Sequence, residues 1–217
     1  MDGNVQPEQS APPPIIPEQT ETPTASPGDS SSPTDDSEPS APTTLSGEVV
    51  ITFDYEKQSG SASNQYAVWI EDMDGNHIKT LYATKWTADG GYKRRPDTIA
   101  IWVEKSELAA LTKSEVDAIS GATPRAGTQA YTWDLADASG NVVTPGKYQV
   151  FVEGTLRWKN YVLYSGVIEL DGNSFTIEAD AEFVYEASDR YAALSLDSPE
   201  NAMIGAVTVS FISIVSD

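Results

Sequence analysis

The sequence contains no cysteine and only one histidine, His77. The absence of cysteine excludes a disulfide framework, a thiolate nucleophile and a zinc site built from thiolates. A single histidine also excludes a metal site with several imidazole ligands. No run of about 18 apolar residues is present, so no segment has the composition of a transmembrane helix.

Lysine, arginine and aromatic residues are all missing from the first 46 residues. This segment contains ten of the 14 prolines, fourteen serines and threonines, and eight acidic residues. Such a composition cannot bury enough apolar surface to offset the entropy cost of ordering the chain. We therefore predict a disordered acidic tether at residues 1–46 and one folded domain at residues 47–217.

The composition of residues 1–46 resembles the Pro/Ser/Thr-rich spacers of Gram-positive surface lipoproteins and wall-associated proteins. The resemblance implies an extracellular protein, held at the cell surface by the tether. It also implies a removed signal peptide and a lipid-modified cysteine upstream of Asp2, with Met1 as an expression start. The domain would then meet the membrane only through this lipid anchor.

The folded domain is acidic. Removing the eight acids of the tether from the total of 33 leaves 25 acids against 13 bases, a net charge of −12. A negative field of this size repels the phosphates of nucleic acids and of anionic lipids. Binding to nucleic acid is therefore not expected.

Alternating apolar and polar residues predict β-strands through most of the domain, with Asp-Gly and similar turns between them. The predicted strands span residues 48–55, 65–71, 77–82, 98–103, 129–135, 146–157, 161–170, 174–178, 181–187 and 202–215. Ser106 and Ser114 predict the N-caps of two short helical turns, and Gly121 predicts the helix stop. We predict an all-β fold, an immunoglobulin-like or Greek-key β-sandwich with a short helical insertion near residues 105–120.

Two family resemblances support this fold. Residues 133–148 (WDLADASGNVVTPGKY) resemble a strand–turn–strand unit of immunoglobulin-like domains of the flagellar-hook-capping type. About residues 66–160 are similar to predicted extracytoplasmic proteins called the domain of unknown function 2271 family, with matches at 68–72, 81–86, 94–96, 102, 117–127 and 146–155. The family resemblance implies an immunoglobulin-like fold without an established activity, and genes for flavin transferases and membrane redox proteins often accompany its members.

Residues 117–123 (DAISGAT) fit the pattern Asp-x-x-Ser/Thr-Gly-Ala-Thr. The pattern resembles the motif in which extracytoplasmic flavin transferases attach FMN, through a phosphodiester, to the last threonine. The FMN-bearing subunits of sodium-pumping and related membrane redox complexes contain such motifs. The resemblance implies covalent FMN on Thr123, with a flavin transferase and a membrane redox protein as partners. The implied cofactor residues in the motif are Asp117, Ser120, Gly121, Ala122 and Thr123.

The motif residue types suit this chemistry, but a structural alternative exists. Glycine and alanine let a transferase approach the backbone closely, and the Thr123 hydroxyl is the nucleophile toward phosphate. Alternatively, the segment is a capped helix end, in which Gly121 stops the helix and Pro124 prevents its continuation.

Basic and aromatic residues are concentrated in two short segments of this acidic domain. Arginine binds phosphate and stacks on aromatic rings, and FMN offers both a phosphate and a planar ring. We therefore predict Arg125, Arg94 and Arg95 as phosphate partners. Alternatively, these clusters form salt bridges and core packing. The clustered residues are Lys85, Trp86, Tyr92, Lys93, Arg94, Arg95, Arg157, Trp158, Lys159 and Tyr161.

Two functions stay open at this level. One is a surface-tethered electron-transfer protein with covalent FMN, and the other is a non-catalytic extracellular binding or adhesion module. Neither includes an independent catalytic activity, and His77 has no catalytic partner near it in sequence. The segments 72–76 and 137–141 are predicted as turns because they lack the downstream glutamate of a calcium loop.

Overall fold

Two β-sheets form the framework of the domain in a computed structural model that describes residues 45–59 and 63–214. The ten strands are β1 (Gly47–Tyr55), β2 (Gln65–Asp72), β3 (His77–Thr84), β4 (Ser120–Gly121), β5 (Gly127–Trp133), β6 (Gly146–Arg157), β7 (Asn160–Leu170), β8 (Phe175–Glu178), β9 (Asp180–Val184) and β10 (Thr208–Ser213). The helices are α1 (Lys85–Ala88), α2 (Ala100–Lys105) and α3 (Lys113–Ile119), with 3₁₀-helices at Gly91–Lys93, Leu108–Ala110 and Pro199–Met203. Within the described ranges, no helix has the length and apolar character needed to cross a membrane.

The first sheet has the strand order β5-β1-β10-β8, and the second has the order β4-β3-β2-β6-β7-β9. All neighbouring strands are antiparallel except β3 and β4, which are parallel. The all-β prediction is confirmed. The immunoglobulin-like Greek-key topology stays a prediction. The predicted tether lies outside the described residues except for Ser46 and Leu45, and Leu45 is buried in the core.

The main core lies between the two sheets. On β1 the buried residues are Val49, Ile51, Phe53 and Tyr55, and this alternation is the period of two expected for a strand with one buried face. They pack in one cluster with apolar residues of β2, β6, β7 and β10. Each large apolar side chain buried in this way contributes about 1.5–3 kcal/mol relative to full exposure.

A second apolar cluster covers the other face of the six-stranded sheet. Ala67 and Trp69 on β2 pack there with Ile99 and Trp102 from the helical segment. Because helices cover this face, almost every residue of β2 is buried and the strand loses the polar alternation of a solvent-facing strand. The domain therefore has three layers, a four-stranded sheet, a six-stranded sheet and the helices of residues 85–119.

The predicted strand at residues 98–103 is wrong, because residues 100–105 form helix α2. Side chains of β6 bind the backbone at the start of this helix. The Glu153 carboxylate accepts hydrogen bonds from the amides of Ile101 and Trp102, and the Thr155 hydroxyl accepts one from Ile99. These partners lie more than 50 residues away along the chain, so local propensity did not reveal them.

The helical insertion is longer than predicted and its caps differ. It begins at Lys85, not near residue 105, and Thr112 is the N-cap of α3 instead of Ser114. Thr112 and Glu115 form a capping box, in which each side chain binds the backbone amide of the other residue. The predicted helical turn at 106–113 is reduced to a 3₁₀-helix at Leu108–Ala110.

The last predicted strand, 202–215, is also shorter than expected. Strand β10 begins only at Thr208, because Pro199–Met203 form a 3₁₀-helix and Ile204 makes an isolated bridge with Tyr55. Met203 is buried at the end of this helical turn, and Ile204 and Val207 are buried between it and β10, so hydrophobicity alone did not indicate where the strand begins.

The predicted turn at residues 137–141 is confirmed. Its geometry leads to a testable prediction for Gly140. The Asp137 carboxylate accepts hydrogen bonds from the amides of Ser139 and Asn141, and Gly140 has a positive φ of 85°. A β-branched residue is strained at such a φ, so Gly140→Val should lower the free energy of unfolding by more than about 1 kcal/mol. Urea denaturation measures this loss. Gly140→Asn, which tolerates positive φ, is the control, and equal midpoints for valine and wild type would contradict the turn assignment.

Candidate functional site

The DAISGAT motif spans three kinds of local structure. Asp117 lies in α3, Ser120 and Gly121 form the short strand β4, and residues 122–125 have no regular structure. In β4, Ser120 pairs with Ala83 and Gly121 with Thr84 at the edge of the six-stranded sheet. The sheet therefore fixes the backbone immediately before Thr123.

Gly121 does not end the helix as predicted. Helix α3 ends at Ile119, and its C-cap Ser120 has an extended backbone with φ −121° and ψ 146°. Gly121 has a different role, because a Cβ at this position would lie 2.9 Å from the Tyr82 ring. The glycine is therefore needed for close packing of β4 against β3, and it is not the helix stop that the capped-helix alternative assigns to it.

Asp117 is held at the surface by two lysines. The Lys85 ammonium lies 2.9 Å from its carboxylate and the Lys113 ammonium lies 3.0 Å from the same oxygen. These hydrogen bonds, first from Lys85 and then from Lys113, lower the pKa of Asp117. Lys113 also binds Asp89, at 3.0 Å. The motif aspartate is therefore ionised at neutral pH, and it holds two ammonium groups beside the loop.

A tyrosine fixes the backbone on the other side of the motif. The Tyr82 hydroxyl donates to the carbonyl oxygen of Ala122 at 2.9 Å. Its ring lies 5.0 Å from the Tyr131 ring and 5.1 Å from the Tyr66 ring. Burial raises the pKa of Tyr82 above its ordinary value, so the hydroxyl remains a donor throughout the neutral range. The loop backbone is therefore attached to a partly buried aromatic cluster that packs against the core.

Thr123 follows this fixed backbone in the irregular loop. It is partly exposed, and its hydroxyl makes no hydrogen bond to any residue that the structure describes. The hydroxyl of Ser120, by contrast, is buried without a hydrogen-bond partner in the described chain. Of the two motif hydroxyls, that of Thr123 is the one in an exposed loop, where an enzyme can reach it.

The three predicted arginines lie in different surroundings. Arg125 is exposed in the loop, two residues after Thr123. Arg94 is exposed and lines a cleft of about 360 Å³ with Lys85 and Trp86. Neither Arg94 nor Arg125 forms an ion pair within residues 45–59 and 63–214.

Arg95 contacts a different part of the domain from Lys85 and Lys113, the two lysines that bind Asp117. Its guanidinium carbon is 4.6 Å from the centre of the Trp158 ring, and one of its nitrogens is 3.5 Å from Asp97. Trp158 also stacks on Tyr191, at 5.0 Å between ring centroids. Arg95 therefore contacts Trp158 in the β6–β7 turn. Lys85 and Arg94 instead line one cleft, and Lys85 binds Asp117.

Residues 44–202 match a family model described as predicted periplasmic protein (DUF2271). The match covers most of the chain. The chain belongs to the DUF2271 family. No protein with a curated description matches it significantly, and no solved structure does. The predicted family resemblance and the location outside the cytoplasm are thereby confirmed at the level of the family.

His77 of this DUF2271 domain belongs to a structural network between β3 and α2. Its Nε2 atom lies 2.8 Å from the Thr80 hydroxyl, which also accepts a hydrogen bond from the Trp102 indole at 2.9 Å. Burial lowers the pKa of His77, so the imidazole is neutral at pH 7. The Asp72 and Asp137 carboxylates bind backbone amides of their own turns.

Sequence reasoning missed three residues that shape this DUF2271 site. Tyr82 holds the loop carbonyl, Lys113 shares Asp117 with Lys85, and Glu153 positions the start of α2. Only the spacing of four between Lys113 and Asp117 on a helix could have indicated its contact. The other two contacts join segments 40 and 51 residues apart, which no local pattern indicates.

Proposed function

We propose that this DUF2271 protein carries FMN covalently on Thr123 and transfers electrons outside the cytoplasm. The main support is the form of the motif. Its backbone is fixed by β4 pairing and by Tyr82, and the next hydroxyl, that of Thr123, is partly exposed and free of partners among the described residues. A fixed loop of small residues lets a transferase bind the backbone and reach one hydroxyl.

The surrounding residues fit the charge of such a cofactor. A phosphodiester on Thr123 would be an anion in a domain with a strong negative charge, so it requires local cations. Arg125 lies two residues away in sequence, and Lys85 and Lys113 bind Asp117 of the same motif. Arginine hydrogen-bonds to phosphate oxygens with two parallel donors. Arg94 is a further candidate, whereas Arg95 is engaged with Trp158.

FMN bound in this way would supply the electron-accepting and electron-donating chemistry that the polypeptide lacks. The covalent link would retain the cofactor in a compartment from which a diffusible flavin is lost. The proposal includes a flavin transferase and a membrane redox protein as partners. It also includes cell-surface retention through residues 1–46 and a lipid anchor upstream of them. The negative domain charge opposes direct binding to anionic lipids.

The test is mass spectrometry of the protein from its native host, or after co-expression with its flavin transferase. The peptide containing Thr123 should gain about 438 Da, the mass of FMN less water, because a phosphodiester forms with loss of water. Thr123→Ala should abolish the gain. Thr132→Ala, a change at an exposed threonine of β5, should leave it intact.

A known substrate of the same transferase serves as the positive control. If that substrate gains FMN while the Thr123 peptide remains unmodified, the covalent proposal is wrong. A non-catalytic binding or adhesion module would then fit an extracytoplasmic β-sandwich with this loop better than an electron carrier does. Modification at Ser120 in place of Thr123 would also contradict the assignment.

A further inference from the structure

Trp86 is an exposed aromatic residue whose ring is held in place by a glycine. The side chain is 43% exposed and lies in α1. Gly91 is buried against it, and a Cβ at Gly91 would collide with both the Trp86 ring and its carbonyl oxygen. Gly90, with φ 96°, forms the tight turn that brings Gly91 to this position. The indole therefore has one packed side and one side open to the cleft that it lines.

The charge beside Trp86 is opposite to that of the domain. Lys85 and Arg94 line the same cleft of about 360 Å³, and Arg94 forms no ion pair with the described parts of the chain. The single acid of the lining, Asp89, is bound by Lys113 at 3.0 Å. In a domain with a net charge of −12, this combination favours an anion beside an exposed aromatic face.

The sheet register connects this cleft to the motif. Gly121 pairs with Thr84, and Lys85 is the next residue along the chain. The Lys85 ammonium contacts Asp117, at 2.9 Å, and Lys85 also lines the cleft. The cleft is therefore connected through Lys85 to Asp117 and β4, the part of the motif that precedes Thr123.

We infer that this cleft binds FMN non-covalently, with the ring on Trp86 and the phosphate on Arg94 and Lys85. A planar ring stacks on an exposed indole, and a cation pair binds the phosphate. The choice of FMN among phosphorylated planar heterocycles rests on the proposed function. The inference adds a binding site for free FMN. This site would exist before any covalent attachment to Thr123 and would not depend on it.

The test uses the full chain produced without a flavin transferase, so that Thr123 is unmodified. FMN and riboflavin, which lacks the phosphate, are titrated separately, and binding is measured by quenching of flavin fluorescence. FMN should bind at least about tenfold more tightly than riboflavin, because charge-assisted hydrogen bonds to the phosphate are strong. Trp86→Ala should weaken both ligands by about tenfold or more through loss of stacking. Arg94→Gln should weaken FMN and leave riboflavin unchanged.

Two control variants show whether binding is specific to this cleft. Arg190→Gln removes an arginine from a different cleft, beside Trp158 and Tyr191, and should leave FMN binding unchanged. Thr123→Ala should also bind free FMN normally, although it cannot be modified. Equal affinity for FMN and riboflavin, or FMN binding that survives Trp86→Ala and Arg94→Gln, would overturn the inference.

The outcomes of the two experiments are independent. Binding of free FMN without a mass gain on Thr123 would contradict the covalent proposal and support the cleft. A mass gain on Thr123 without measurable binding of free FMN would support the covalent proposal and contradict the cleft.

Discussion

Trp102→Ala should lower the free energy of unfolding by about 3–5 kcal/mol. The Trp102 side chain is fully buried in the second apolar cluster, where the helical layer packs on β2 through Trp69 and Ile99. Its removal leaves a cavity that the surrounding residues cannot fill completely. It also removes the donor that binds the Thr80 hydroxyl at 2.9 Å. Urea denaturation followed by far-ultraviolet circular dichroism measures the loss.

A matched tryptophan provides the control for this prediction. Trp86 also lies in the helical segment but is 43% exposed, so Trp86→Ala should cost clearly less than Trp102→Ala. Trp102→Phe keeps most of the apolar volume and loses the indole donor, so its effect should fall between the two alanine variants. If Trp102→Ala and Trp86→Ala have equal effects, the helical layer does not pack on the sheet as described.

Trp102 also shows where sequence patterns fail for this fold. Strands β1, β6 and β7 are predictable within one or two residues, because alternation over many positions and clear turn residues define them. The segment around Trp102 is rich in β-branched residues, which favour a strand. It is a helix because Glu153 and Thr155 satisfy the amides at its start. A tertiary contact of this kind overrides local propensity, and the residues of the segment itself do not indicate it.

The candidate site was predictable to a similar degree. The motif, its position in an irregular segment and the nearby excess of basic residues were visible in the sequence. The different surroundings of these basic residues were not visible, because Arg94 lines a cleft with Lys85 whereas its neighbour Arg95 lies on the Trp158 ring. Contacts such as Tyr82 with Ala122 required the sheet register.

The free energy of unfolding of the domain should fall as the pH rises from about 4.5 to about 7, because the folded protein holds the Glu153 proton more tightly than the unfolded chain does. The side chain is fully buried, and burial raises its pKa from 4.5 to about 7, although hydrogen bonds from α2 amides act in the opposite direction. Between these pH values the folded protein keeps a proton that the unfolded chain has already lost. The stabilisation is therefore complete below about pH 4.5 and is lost as the pH rises through about 7. The total loss is about 3 kcal/mol.

Glu153→Gln isolates this effect from other titrating groups. His77 acts in the opposite direction, because its lowered pKa gives stability that is present above about pH 6.5 and is lost as the pH falls. Both proteins contain His77, so the difference between their unfolding free energies reports Glu153 alone. Urea denaturation at several pH values between 4.5 and 8 measures it. The wild type should lose about 3 kcal/mol relative to the glutamine variant across this range, because a neutral amide does not titrate. Parallel stability profiles for the two proteins would show that Glu153 is ionised throughout, with the α2 amides outweighing the effect of burial.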